Sequence, residues 1–166
     1  MNQTVLGRRQ FSVGMGAVAL GGFGLARAQG EGRIVLGQSA AFTGPAAQLG
    51  VQFNQGAKLF FDQLNAQGGV GKRMVEIRTM DDGYEPDRCA ENTRKLIADE
   101  VFALFGYIGT PTSLAALPLF NQAKVPFFGP FTGAEALRQP FNRLIFHVRA
   151  SYYDETALIV RQLTNL

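Results

Sequence analysis

Strand-like and helix-like hydrophobic patterns alternate five times between residue 33 and the end of the chain. "RIVLGQSAAF" (33–42) reads as a strand. Over 47–67, Leu49, Phe53, Ala57, Phe60, Phe61 and Leu64 recur at helical spacing, and "GGVGK" (68–72) stops that helix. "MVEIRTM" (74–80) alternates as a strand does and ends at Asp81, Asp82 and Gly83. Pro86 suits the start of a second helix running to about residue 100, with Cys89, Leu96 and Ile97 inward. "VFALFGYI" (101–108) is continuously apolar, as expected of a central strand covered on both faces. A helix over 112–123, the short strand "PFFGPF" (126–131), a helical turn "GAEALR", the strand "LIFHVRA" (144–150) and a last helix from near Tyr153 complete the order. Alternation of this kind predicts an α/β fold, an open parallel sheet with helices on both faces. The final "DETALIVRQLTNL" stops within an amphipathic helix, which predicts a chain cut short of a larger fold.

The net charge of +3 is carried by the first 28 residues, where Arg8, Arg9 and Arg27 stand without any acid. The remainder is balanced, so it has no basic surplus to hold a phosphate backbone, and nucleic acid is not an expected partner. Residues 1–28 read as an export leader. An arginine pair in "RRQF" precedes a glycine-rich apolar stretch that is too short for a bilayer, which needs about 20 residues. Ala26, Arg27 and Ala28 form a small-x-small cleavage site. The pair resembles a twin-arginine signal, with the general secretory route as the alternative. The expected location is periplasmic.

Catalytic chemistry is hard to place. The single histidine, His147, lies in an apolar strand, and no G-x-S-x-G elbow or Walker-A pattern occurs. No Cys/His cluster suits zinc. The single cysteine, Cys89, reads as a small packed side chain rather than a reactive thiol. Asp81 and Asp82 could hold magnesium, but closing the turn at a strand end is the simpler reading. No cofactor, metal or enzymatic activity is expected.

In an open α/β sheet, ligands sit outside the carboxyl ends of the strands. The residues there are small, hydroxylic or aromatic and mostly uncharged: Phe42 to Pro45, "GTPTS" (109–113), "GPFTG" (129–133) and "SYY" (151–153). Thr110 before Pro111 predicts an N-cap with proline at the first helical position. Free N–H groups at such a helix start suit a carboxylate, with threonine and serine hydroxyls as further donors. The competing reading is that Thr110 only caps its own helix.

At these residues the chain resembles the leucine/isoleucine/valine-binding protein family, the type I solute-binding proteins of ABC importers. The motifs, in order, are "GQSAAFTGPAAQLGVQFNQGAKLFFDQLNAQGGVGKR", "DDGYEPDRCAENTRKLI", "FALFGYIGTPTSLAALPLF", "VPFFGPFTGAEALR" and "FHVRASYYDE". The resemblance implies two α/β lobes closing on a ligand, of which residues 29–166 would be the first, with the second lobe absent. It implies a small-molecule ligand and an ABC permease in the inner membrane as partners. Position by position, Thr110 matches the hydroxyl that holds the ligand carboxylate, beside Pro111. Phe131, Thr132 and Gly133 match the loop that meets the ammonium and carboxylate. Leu49 matches a position that packs on the ligand side chain, and Tyr152 and Tyr153 sit where the chain re-enters the cleft. The family's disulfide positions are Tyr84 and Gly109 here, so that crosslink is absent, and Thr132-Gly133 replaces a small residue followed by threonine. The ligand expected is a branched-chain or related amino acid, an amide or a small carboxylate. An exported sensor or interaction protein using the same lobe without transport is the alternative.

Overall fold

The computed structural model describes residues 32–165. The expected leader, residues 1–28, lies outside them. Strands β1 (Ile34–Ala40), β2 (Val75–Asp81), β3 (Ala103–Phe105), β4 (Phe127–Phe128) and β5 (Ile145–Phe146) alternate with helices α1 (Ala47–Ala66), α2 (Pro86–Ala98), α3 (Thr110–Ala123) and α4 (Tyr152–Thr164). All pairings are parallel, in the order β2-β1-β3-β4-β5. The chain steps outward from β1 to β2, then back across to β3. The strand order therefore reverses between β1 and β3, and their carboxyl ends frame a crevice.

The main core lies between the sheet and the α2–α3 side, where Cys89, Leu96, Leu104, Tyr107, Ala116, Phe120 and Phe127 are buried together. On the opposite side α1 lays Phe53 and Phe61 on Phe105, with ring centroids 5.8 and 5.7 Å away. The expected helices on both faces are thus present. Phe128 and Phe146 continue the Phe105 stack beyond α1 and are about half exposed.

The apolar run 101–108 forms a shorter strand than its composition predicts. Gly106 and Gly129 take positive φ of 60° and 62° at the same level of neighbouring strands, and both ladders break there. Pairing resumes as a single bridge between Ile108 and Phe131. The kink leaves the Gly106 carbonyl without a ladder partner. The fully buried Gln38 amide of β1 donates to it at 3.0 Å, and Asn54 of α1 donates to the Gln38 carbonyl at 2.7 Å. A buried carbonyl must find such a donor.

Candidate functional site

Helix α3 begins one residue earlier than the N-cap reading of Thr110 requires. Gly109 is the N-cap, Thr110 is the first helical residue, and no side chain caps the start. This corrects both the predicted cap and the reading in which Thr110 serves only as one. Two neighbouring hydroxyls are spent on the backbone: Thr112 Oγ1 donates to the Ile108 carbonyl at 2.5 Å, and Ser113 Oγ to the Gly109 carbonyl at 2.6 Å. The expectation that the whole "TPTS" run supplies donors therefore narrows to Thr110. The first N–H groups of a helix have no intrahelical acceptor. Pro111 has no N–H and Thr112 is fully buried, which leaves the half-buried Thr110 at the accessible start of the helix.

Thr110 Oγ1 lies 2.6 Å from Thr132 Oγ1, which lies 3.3 Å from the Tyr152 hydroxyl. Thr132 is fully buried and also accepts from the Ala134 N–H at 3.1 Å. Three hydroxyls from α3, the loop after β4 and the start of α4 thus form one row. Each hydroxyl can donate once. With an anion beside Thr110, the row runs Tyr152 to Thr132 to Thr110 and delivers its last proton outward. Reversed, it leaves the Tyr152 proton free. The Thr132 hydroxyl first, then the Thr110 hydroxyl, the Gly133 backbone and last the Arg149 charge hold the Tyr152 phenol below its ordinary range against the opposing effect of burial.

The other nominated residues take different places. Phe131 sets its ring against Phe53 at 6.0 Å and beneath the Arg149 guanidinium. Gly133 lies against the Tyr152 backbone, which donates its N–H to the Gly133 carbonyl at 2.8 Å. Leu49, in the first turn of α1, is about half exposed, and Pro111 is exposed. Tyr153 is 70% exposed and makes none of the row's hydrogen bonds. Tyr84 and Gly109 do face each other. A Cβ on Gly109 would fall 2.4 Å from the Tyr84 ring, so the tyrosine occupies the space a crosslink would use.

Two residues escaped the sequence reading. Arg149 and Glu155 form a bidentate pair across the start of α4, with distances of 2.6 and 2.7 Å. The ring of Tyr152 is stacked under the same guanidinium. Nothing periodic marks that pair. Its only sequence trace is opposite charge on either side of the Ser151–Asp154 capping box that starts α4.

Asp81 and Asp82 close the turn after β2, as expected. Asp81 accepts from the N–H groups of Phe42, Thr43 and Gly83 and from the Thr43 hydroxyl, and pairs with Arg88 at 3.1 Å. Burial opposes this, but these bonds prevail and hold its carboxyl well below the usual range. Asp82 is fully buried on Ser39, and burial pushes it up. The two have opposite linkage to pH. The Asp81 contribution is present above the ordinary carboxylate value of 3.8 and is lost as pH falls below it. Asp82 does the reverse, because the folded chain takes up its proton before the unfolded chain does. Asp82→Asn is therefore expected to raise the urea midpoint at neutral pH, with the gain over the parent shrinking as pH falls toward 3.8. A gain that does not change with pH would contradict this account.

Cys89 is buried against the Thr112 carbonyl at 3.4 Å, and burial pushes its thiol up to about 12. His147 directs Nε2 at the Leu137 carbonyl, 3.2 Å away. Neither side chain hydrogen-bonds to the hydroxyl row. Among the described residues no group of three His, Cys, Asp or Glu side chains could hold a metal ion.

The fold is thus an open α/β sheet with a row of hydroxyls on a helix start at its carboxyl edge, the edge at which open α/β sheets bind small ligands. The sequence profile of periplasmic binding proteins matches residues 33–165, and the chain belongs to that family. It is a family of binding proteins and not of enzymes. A solved structure of a possible leucine/isoleucine/valine-binding protein from Rhodopirellula baltica is 40% identical, with a TM-score of 0.77 over 81% of this chain and 36% of that one. A fatty acid ABC transporter substrate-binding protein from Thermomonospora curvata is 26% identical, with a TM-score of 0.73 over 80% of this chain and 33% of its own. The leucine-, isoleucine-, valine-, threonine- and alanine-binding protein of Pseudomonas aeruginosa is 25% identical over 84% of this chain and 37% of its own. The chain thus spans well under half the length of these relatives.

Proposed function

We propose that this chain is the first lobe of an exported solute-binding protein serving an ABC importer, with branched-chain or related amino acids, amides or small carboxylates as ligands. In this reading residues 1–28 are a leader cleaved near Ala28, residues 29–166 form a periplasmic lobe, and an inner-membrane ABC permease is the partner. The hydroxyl row carries the reading. Thr110, freed from capping, stands at the open start of a helix and is backed by Thr132 and Tyr152. That set suits a carboxylate, because each contact is a donor and the helix end carries partial positive charge. Leu49, Phe131 and Tyr153 would meet the ligand's side chain, and Gly133 its ammonium end. The names of the relatives from Rhodopirellula and Pseudomonas support an amino acid, while the Thermomonospora name supports a carboxylate more generally.

The test is calorimetry with leucine and with leucinamide on the chain joined to a second lobe from a relative. Leucine is expected to bind more tightly than leucinamide. Thr110→Ala removes one charge-assisted hydrogen bond, which contributes about 1.5–3 kcal/mol, so affinity for leucine should fall roughly ten- to hundredfold. Because Gly109 is the cap, stability should fall only by the lost Thr110–Thr132 hydroxyl bond, about 0.5–1.5 kcal/mol. Equal binding of leucine and its amide, or a silent Thr110→Ala, would sink the reading. N-terminal sequencing of exported material should begin near Gln29.

A further inference from the structure

Arg149, between β5 and α4, is held from several sides. Its Nε and Nη2 donate to the two carboxylate oxygens of Glu155 at 2.6 and 2.7 Å, which fixes the plane of the guanidinium. The centre of that plane lies 5.4 Å from the Phe131 ring centroid and 5.2 Å from that of Tyr152. Both distances fall inside the range of about 6 Å over which a cation attracts an aromatic face. One side chain therefore touches the loop after β4 through Phe131 and the first turns of α4 through Tyr152 and Glu155. Arg138 steadies the segment from behind, its Nη2 donating to the carbonyls of Arg149 and Ala150 at 2.8 and 3.0 Å.

Tyr152 has use for such a clamp. Its hydroxyl makes the longest link of the row, 3.3 Å to Thr132, and its side chain is 42% exposed. An aromatic residue on the open first turn of a helix has other rotamers available to it. A hydroxyl that leaves the row cannot orient Thr132 toward Thr110.

The geometry points to Arg149 as a positioning residue of this row: gripped by Glu155 and laid across Phe131 and Tyr152, it fixes the Tyr152 hydroxyl on Thr132. The inference rests on the row being the ligand site. With Nε and Nη2 committed to Glu155, Arg149 acts through Tyr152 and does not itself seize the ligand's anion.

The chain has four tyrosines and no tryptophan, so phenolate absorbance during a pH titration reports the tyrosines alone. Tyr152→Phe identifies the Tyr152 transition by its loss. Arg149→Met is expected to move that transition to higher pH, because losing the adjacent positive charge and the Thr132 bond both disfavour the phenolate. Arg149→Lys, which keeps the charge but not the fork, should move it partway. In a Thr132→Val background the effect of Arg149→Met should shrink, since the link it positions is already gone. A transition that stays at the parent's pH in folded Arg149→Met, or a shift that Thr132→Val leaves undiminished, overturns the proposal. If Arg149→Met does not fold, Glu155→Gln is titrated in the parent and in the Thr132→Val background: a shift that differs between the two supports the clamp, and the same shift in both overturns it. The titration needs no ligand. Failure of leucine to bind would defeat the proposed function while the Tyr152 shift still reported the clamp, and an unmoved transition in a chain that binds leucine would do the opposite.

Discussion

Gly106→Ala is expected to destabilise the fold by about 2–5 kcal/mol. Two costs combine. A left-handed backbone in a residue with a Cβ costs roughly 1–2 kcal/mol. Overpacking adds about 1–3 kcal/mol, since the new methyl would lie 2.2 Å from the Phe53 ring edge. Gly129 separates the terms. Its φ of 62° nearly equals the 60° of Gly106, but a Cβ there meets only Val148 at an ordinary 3.7 Å. Gly129→Ala should therefore show the backbone cost alone, about 1–2 kcal/mol. Urea unfolding with an unchanged m-value measures both. In a Phe53→Leu background the penalty at 106 should fall toward that at 129, because the clashing ring is gone. Equal penalties at the two positions in the parent would show that Phe53 yields freely and that the kink is not packed as described.

Gly133→Ala is expected to abolish most ligand binding, with a loss of affinity at least as large as that of Thr110→Ala and a stability cost of about 1–3 kcal/mol. Its backbone is not in the left-handed region, so the effect comes from space alone. An added Cβ would lie 2.7 Å from Tyr152 Cδ1, 2.8 Å from the Tyr152 nitrogen and 3.0 Å from the Ala150 carbonyl oxygen. Two of these three atoms are backbone and cannot rotate away. The loop must therefore part from α4, which breaks the Tyr152-to-Gly133 backbone bond and draws Thr132 away from the Tyr152 hydroxyl. Removing the ring in Gly133→Ala/Tyr152→Ser should not restore leucine binding, since the backbone clashes persist. Calorimetry alongside urea unfolding tests this. Parent-like affinity in Gly133→Ala would mean that the close approach of the two segments is not needed by the site.

Much of the architecture was legible because it follows from local periodicity. Helical spacing in α1, alternation in β2 and the continuous apolar run before α3 each depend on residues within a few positions of one another. Their alternation left a parallel α/β sheet as the natural arrangement, and with it the edge at which the small hydroxylic loops collect. The ends of the elements were read less well. The strand predicted over 101–108 stops at Phe105, where Gly106 turns left-handed against Phe53, a side chain from a helix far away in sequence. Thr110 has the composition of a cap, but Gly109 takes the position because Thr110 has a better partner in Thr132.

The sequence by itself determined the order of the elements, the sign of the charge balance, the family motifs and which loops stand at the carboxyl edge. Only the tertiary structure decided which hydroxyls in those loops meet. Thr110, Thr132 and Tyr152 come from three separate elements, and Arg149 reaches Glu155 around a helix start. Periodicity is a property of neighbours along the chain, so it can be read from the chain. The partner of a hydroxyl or a guanidinium is whichever group packing brings within about 3 Å, and that is set by every element between them.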